Sequence, residues 1–162
     1  ALSLIDLPNH LESEISKLLP QRWSKNNPID CAGGETRETV IDIMRLVATD
    51  EAVDAIIFLG IGIQSNQARM MRDGRYFPDY ELERIVNYHE RQDAMYANFA
   101  ADLSLETQKP ILVATELAVA DPKNAGVVAV QKTGRLCYAS GQRAARALSS
   151  VYLYAKWRGL AE

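Results

Sequence analysis

The chain reads as an α/β protein, with a parallel sheet of about four strands between layers of helix. Three observations predict it. Short apolar runs alternate along the chain with longer stretches of helical periodicity, the pattern of a parallel sheet with right-handed crossovers. Two of those runs end in glycines that open helices, as strand-to-helix turns at the carboxyl edge of such a sheet do. The 162 residues, 48% of them hydrophobic, provide the core of one domain. Strands of this number and length make a flavodoxin-like three-layer sandwich.

The stretch 53–68, VDAIIFLGIGIQSNQA, is the centre of the prediction. Residues 53–59 form a nearly continuous apolar run, expected of a strand buried on both faces. Gly60, Ile61 and Gly62 then break it, and Ser65, Asn66 and Gln67 open a helix. Glycines at such a turn let backbone N–H groups approach an anion, and the helix start behind them carries partial positive charge. A short glycine turn of this kind is equally often structural only.

Before it, residues 2–20 are a lead-in, with a helix carrying Leu11, Ile15, Leu18 and Leu19 at helical spacing and closed by Pro20. A polar connector holds Trp23 against the body, so residues 1–26 are set apart from the domain over 27–158. His10 is expected at the surface. A strand over 27–32 then ends in Gly33 and Gly34. The helix from Thr36 buries Val40, Ile43, Met44 and Val47, with Glu35 and Glu38 in its first turn, where carboxylates complement the macrodipole. Two glycine turns on one sheet edge make a shared anion pocket more plausible than either alone.

After the central turn the chain makes a loop over 72–78, and Asp79 is the expected N-cap of a helix over 80–105. Leu82, Ile85, Val86, His89, Tyr96, Phe99 and Leu103 track one face of that helix. His89 lies on that stripe among Tyr88, Glu90 and Arg91 and reads as a packed, hydrogen-bonded helix histidine. The run 110–115 is the next strand, ending at Glu116. A loop through Asp121 and Pro122 leads to a helix over 124–132, and 136–138 form the fourth strand. Ser140 caps the last helix, whose buried side is expected to be Ala144, Ala147, Leu148, Val151 and Ala155. Arg143 and Arg146 on that helix read as surface residues, and a tail runs from Gly159.

Composition excludes several function classes. A net charge of −3 with no basic stripe argues against nucleic acid as a partner. No run approaches the roughly 20 apolar residues of a membrane helix, and the acidic start lacks the basic region of a signal peptide. Cys31 and Cys137 read as free thiols in separate strands, which suits the cytoplasm. The paired aspartates of a receiver, the Ser/Thr-rich loop of a flavodoxin, the Walker A lysine and a glycine-flanked serine nucleophile are all missing. An acid–base pair of the chain's own would have to come from Asp30 and Glu116. Asp30 is better explained by bonding turn amides, and Glu116 by a surface role or by steering a loop. The starting residue is Ala1, consistent with processing or with a piece of a longer polypeptide.

The order of short motifs carries a resemblance. Leu-Pro before an amphipathic helix, Leu-Pro and Trp after it, Asn-Pro-Ile-Asp with glycines, Val-Asp-Ala-Ile-Ile with Gly60-Ile61-Gly62, and Lys-Pro-Ile-Leu-Val occur in sequence. Gly134 with Tyr138, and Gln142-Arg143-Ala144, complete the order. From residue 4 to 154 the chain resembles the last flavodoxin-like module of the NDP-forming acyl-CoA synthetases, which is similar to the carboxyl-terminal domain of the succinyl-CoA synthetase β subunit. That resemblance implies an enzyme coupling ATP or GTP cleavage to thioester formation from a carboxylic acid and CoA, through acyl-phosphate and phosphohistidine. The histidine, the CoA site and the ATP-grasp site with Mg lie on other domains or subunits. No cofactor belongs to this module alone, which is inactive in isolation.

Its implied part is to dock the phosphohistidine loop through Gly60, Ile61, Gly62, Ile63, Gln64 and Ser65, with Gly33 and Gly34 beside them and Asp30 and Glu116 as possible support. Such a helix start stabilises a dianionic phosphoryl group by about 1–2 kcal/mol. Neither His10 nor His89 lies in a glycine-rich loop of the phosphorylated kind. The connection over 65–109 is longer than in the family, which makes the 73–78 loop a possible cover or subunit contact, in a homo-oligomer for example. A β-branched residue at Gly62 is expected to block docking while leaving the domain folded. The alternative reading is a stand-alone flavodoxin-like module that binds an anion or a partner without catalysis.

Overall fold

The computed structural model describes residues 2–33 and 36–161. Three parallel strands form its sheet: β1 (Ile56–Leu59), β2 (Ile111–Ala114) and β3 (Cys137–Tyr138), in that spatial order. Ile56 pairs with Ile111 and Leu59 with Ala114, while Val113 and Ala114 pair with Cys137 and Tyr138. Among the described residues seven helices accompany them: α1 (Asn9–Leu18), α2 (Arg37–Thr49), α3 (Ile63–Arg72), α4 (Leu82–Thr107), α5 (Leu117–Ala120), α6 (Ala125–Lys132) and α7 (Gly141–Trp157). No helix among the described residues is long and apolar enough to cross a membrane.

The fold class is α/β as expected, but the sheet has three strands rather than four. The predicted first strand over 27–32 does not form. Pro28 offers no N–H to a ladder, Asp30 Oδ1 instead accepts the Ala32 N–H at 2.9 Å, and Ala32 turns into the left-handed region at φ 59°. Ser24 holds the same segment, its Oγ accepting from Asp30 N at 3.0 Å and donating to Pro28 O at 3.0 Å. Backbone groups bonded to a local turn are lost to a sheet. Cys31 therefore lies outside any strand, whereas Cys137 is in β3, and the two form no disulfide. Burial raises the Cys137 thiol pKa above its ordinary value.

That missing strand leaves β1 at the sheet edge. Its residues are half-buried rather than enclosed on both faces, and Leu59 is exposed.

The strand period of two sorts the side chains into layers. Ile56, Phe58, Ile111, Val113 and Cys137 meet Met44 and Ala48 of α2, Tyr96 to Leu103 of α4, and Ala129 and Val130 of α6 in the main core. Across the sheet lies α7, which contacts all three strands. A second cluster joins Leu11 and Ile15 of α1, Leu19, Trp23, Ile43 of α2 and Val53, with Cys31 and Ala32 packed on its flank. His10 is exposed and reaches from α1 to Asp50 at the end of α2, 2.5 Å away. That hydrogen bond, with one from the Ala52 N–H, holds the Asp50 carboxyl below its ordinary pKa.

Side chains cap three helix starts, and the cap at Ser140 is the one the sequence predicts. Thr36, Asn124 and Ser140 accept from Thr39, from Gly126 and Val127, and from Arg143 respectively. Asp79 does not cap α4. The helix starts later, behind Tyr80 and Glu81, both left-handed at φ 55° and 64°, and Asp79 contributes its backbone carbonyl to Leu82 N.

Candidate functional site

At the carboxyl edge of β1 the chain turns through Gly60, Ile61 and Gly62 into α3. Gly60 and Gly62 have φ of 94° and 88°, values that L side chains adopt only under strain. Between them, Ile61 is fully buried in the main core. The Gly62 peptide is gripped from both sides. Its N–H donates to Asp93 Oδ1 at 3.1 Å, and its carbonyl accepts from Asn124 Nδ2 at 3.0 Å.

Asp93 comes from α4, about thirty residues away in sequence, and is 1% exposed. Its other oxygen accepts from Ser65 N at 2.7 Å and from Ser65 Oγ at 2.6 Å. Gly62 has no side chain with which to cap α3, so α4 supplies the cap across the interface. One turn earlier on α4, His89 Nδ1 meets Gln64 Oε1 at 2.6 Å. Since the amide oxygen only accepts, the imidazole donates from Nδ1. His89 is half-buried and hydrogen-bonded, as the sequence predicts.

Asn124 completes the frame. Its Oδ1 accepts the Gly126 N–H at 2.9 Å, capping α6 while its amide holds Gly62. Thr115, at the end of β2, donates its N–H to Tyr138 O at 2.8 Å, and its hydroxyl accepts from Leu117 N at 3.3 Å. Among the described residues the buried polar side chains are Ser65, Asp93, Thr115 and Asn124. All four stand at this one edge of the sheet, and the buried side-chain polar atoms there have partners. A buried network with every member satisfied fixes local geometry tightly.

The predicted site residues divide on this frame. Gly62 and Ser65 are buried and their amides are taken by Asp93. Gly60 is half-buried, Gln64 half-buried against His89, and Ile63 stands out at 57% exposure. Glu116 is exposed at the end of β2 and makes no side-chain cap to α5. Asp30 bonds a turn amide in the irregular segment, as expected of it. Gly33 is exposed with φ 65°, and a Cβ there would meet nothing within 4 Å, so it follows a turn rather than a strand. Gly34 lies outside the described residues. The shared pocket of two strand-end glycine turns therefore does not follow from this fold.

Sequence reasoning missed Asp93 and the clamping role of Asn124. A signal for Asp93 was present: it falls four residues after His89 and three before Tyr96, on the stripe that carries the core of α4. A carboxylate in core register needs partners. Two open clefts lie elsewhere. One of about 360 Å³ runs along α4 by Glu83, Arg84, Asn87, Tyr88 and Arg91, and one of about 210 Å³ is lined by Leu112, Arg135, Leu136 and neighbours. Comparisons with protein-family models, curated proteins and solved structures give no match.

Proposed function

We propose that this chain is the docking module of an NDP-forming acyl-CoA synthetase, receiving a partner domain's phosphohistidine loop at the carboxyl edge of its sheet. The supporting observation is the concentration of buried polar side chains on the Gly60–Gly62 turn, which holds one short stretch of backbone rigid at that edge. Rigid elements that present a fixed backbone suit a site that must be met by a moving loop. Ile63 is exposed beside this support, with Glu116 exposed at the end of β2. In this reading the chain supplies shape and positioning. CoA, the nucleotide with Mg, and the phosphorylated histidine belong to the other domains or subunits of the enzyme.

The test is made on the full native polypeptide with its partner subunits. ATP or GTP, CoA and a panel of carboxylic acids should yield a thioester and an acid-labile phosphohistidine. Ile63→Glu should lower turnover about tenfold or more while leaving the melting temperature unchanged. Glutamate is favourable in the first turn of a helix, the site is exposed, and its charge opposes an arriving phosphoryl group. No thioester with any acid, or full turnover in the variant, overturns the proposal.

A second reading, a module that binds a partner without catalysis, is favoured by Asp93 itself, which already takes amides an incoming phosphate would use. A native polypeptide no longer than this chain, with no phosphohistidine-bearing partner, would select it.

A further inference from the structure

Helix α7 carries apolar groups on two sides. Ala144, Leu148, Tyr152 and Ala155 are buried or half-buried on the side that meets the sheet. A period of about 3.6 residues puts Arg143, Arg146, Ser150, Leu153, Tyr154 and Trp157 on the opposite side, and all six are exposed. Trp157 is 78% exposed, and Leu153 and Tyr154 are each 55% exposed. A helix with apolar groups on both sides is one that a further layer covers.

The order of residues along this stripe says what the layer is. Its first half is cationic and its second half aromatic, with a small residue between them. None of the chain's 21 acidic residues lies on α7. Among the described residues Arg143 and Arg146 have no ion-pair partner. The aromatic end is already organised. The rings of Tyr154 and Trp157 stand 5.8 Å apart, and Arg158 Nη1 donates to Tyr154 Oη at 3.1 Å. At the centre, Ser150 Oγ donates to the Arg146 carbonyl of its own helix at 3.0 Å, so it brings no unpaired hydroxyl donor into a contact.

We propose that this stripe is a self-complementary surface that pairs α7 with α7 of a second copy of the chain, antiparallel and with the two-fold axis at Ser150. Arg143 and Trp157 stand at equal distances either side of Ser150 in sequence, and so do Arg146 and Tyr154. The two-fold therefore sets Arg143 opposite the partner's Trp157 and Arg146 opposite the partner's Tyr154, cation against aromatic ring. Each Arg143 also meets the carboxyl end of the opposite helix, where the macrodipole favours a positive charge. Serine at the axis lets the two backbones come close. Parallel pairing would set cations against cations. Docking α7 onto the acidic remainder of a second copy would build open chains rather than a closed dimer. The six side chains of each copy bury roughly 1,000 Å² in total, the small end of specific interfaces, so pairing belongs to micromolar rather than nanomolar concentrations. It involves a helix face and not the Gly60–Gly62 turn, and holds whether or not the docking function does.

Sedimentation equilibrium of the full chain tests it. The 18.0 kDa monomer should give way to a species of twice that mass as concentration rises through the micromolar range. Trp157→Ala and Arg146→Ala should each weaken the dimer about tenfold or more. Ser150→Cys reports the register, and should form an intermolecular disulfide on oxidation because the two thiols face each other across the axis. Wild type, with Cys31 and Cys137, and Lys156→Cys, off the stripe, should not. All four substitutions fall at exposed positions, so the fold is kept.

A chain that stays monomeric throughout that range overturns the inference. So do species that grow beyond the dimer, a dimer that Trp157→Ala leaves unchanged, or one without the Ser150→Cys crosslink. A monomer whose Trp157 emission shifts to the blue on vesicles of anionic lipid, and not on neutral ones, also overturns it and assigns the face to a membrane surface instead.

Discussion

Gly62 shows how much one residue can fix. At φ 88° any side chain is strained, and its Cβ would stand 2.6 Å from Asn124 Oδ1 and 3.0 Å from Leu117 Cδ1. The neighbour across the turn is equally close, since a Cβ on Gly126 would lie 2.7 Å from Gly62 Cα. Substitution at Gly62 therefore breaks the clamp that joins β1, α4 and α6, and the expectation that a β-branched variant stays folded does not hold on this geometry. Gly33 offers the control, with φ 65° but open space around its Cβ position. Gly33→Ala should cost about 1 kcal/mol, the strain of a left-handed alanine alone. Gly62→Ala should cost about 2–4 kcal/mol, because overpacking adds to the strain. Denaturant unfolding of the two variants measures the difference. Equal costs would mean that Asn124 moves aside and that the turn is less rigid than its contacts imply.

At the scale of elements, helices were legible because their apolar spacing is local, and Ser140 adds a local cap at the last of them. The segment 27–32 was not, because its apolar residues look like a strand while Ser24 and Asp30 settle it as a turn. The last helix shows a different limit. Periodicity tells which face of a helix is apolar, not whether another layer reaches it. Ala144 is fully buried under the sheet, but Val151 is 65% exposed, along with Leu153, Tyr154 and Trp157. The predicted buried side of α7 thus holds at its beginning and fails at Val151, where the helix has run past the short strands. Asp93 was hidden for a related reason, since charge on a helix reads as surface until the register of its neighbours is weighed. Val151→Glu should change stability by no more than about 0.5 kcal/mol, the range of ordinary surface substitutions. Ala144→Leu should cost about 1–3 kcal/mol by overpacking beneath the sheet. A large loss at Val151 in unfolding experiments would mean that its face is covered in solution.

For the whole molecule the question is whether the lead-in and the sheet fold together. The α1–α2 cluster and the main core are distinct sets of buried residues, but Ile56 at the start of β1 packs against both, and α2 contributes Ile43 to one and Met44 and Ala48 to the other. A helix that presents residues to two cores couples them, since it cannot leave one without disturbing the other. The lead-in is also held by polar contacts across long sequence separations, from His10 to Asp50 and from Asn27 Nδ2 to Ile5 O. Unfolding should therefore be a single cooperative transition. Ile15, fully buried in the smaller cluster, tests it. Ile15→Ala should cost about 2–5 kcal/mol, and the loss should appear equally in the melting of the sheet. Trp23 is buried in that cluster while Trp157, the other tryptophan, is exposed. In a Trp157→Phe background, Trp23 fluorescence reports the lead-in and circular dichroism reports the helices throughout. Coincident midpoints, both lowered by Ile15→Ala, make the lead-in part of one domain with the site. A Trp23 transition that comes first, with the circular dichroism midpoint unmoved, makes it a separate unit resting on the sheet domain.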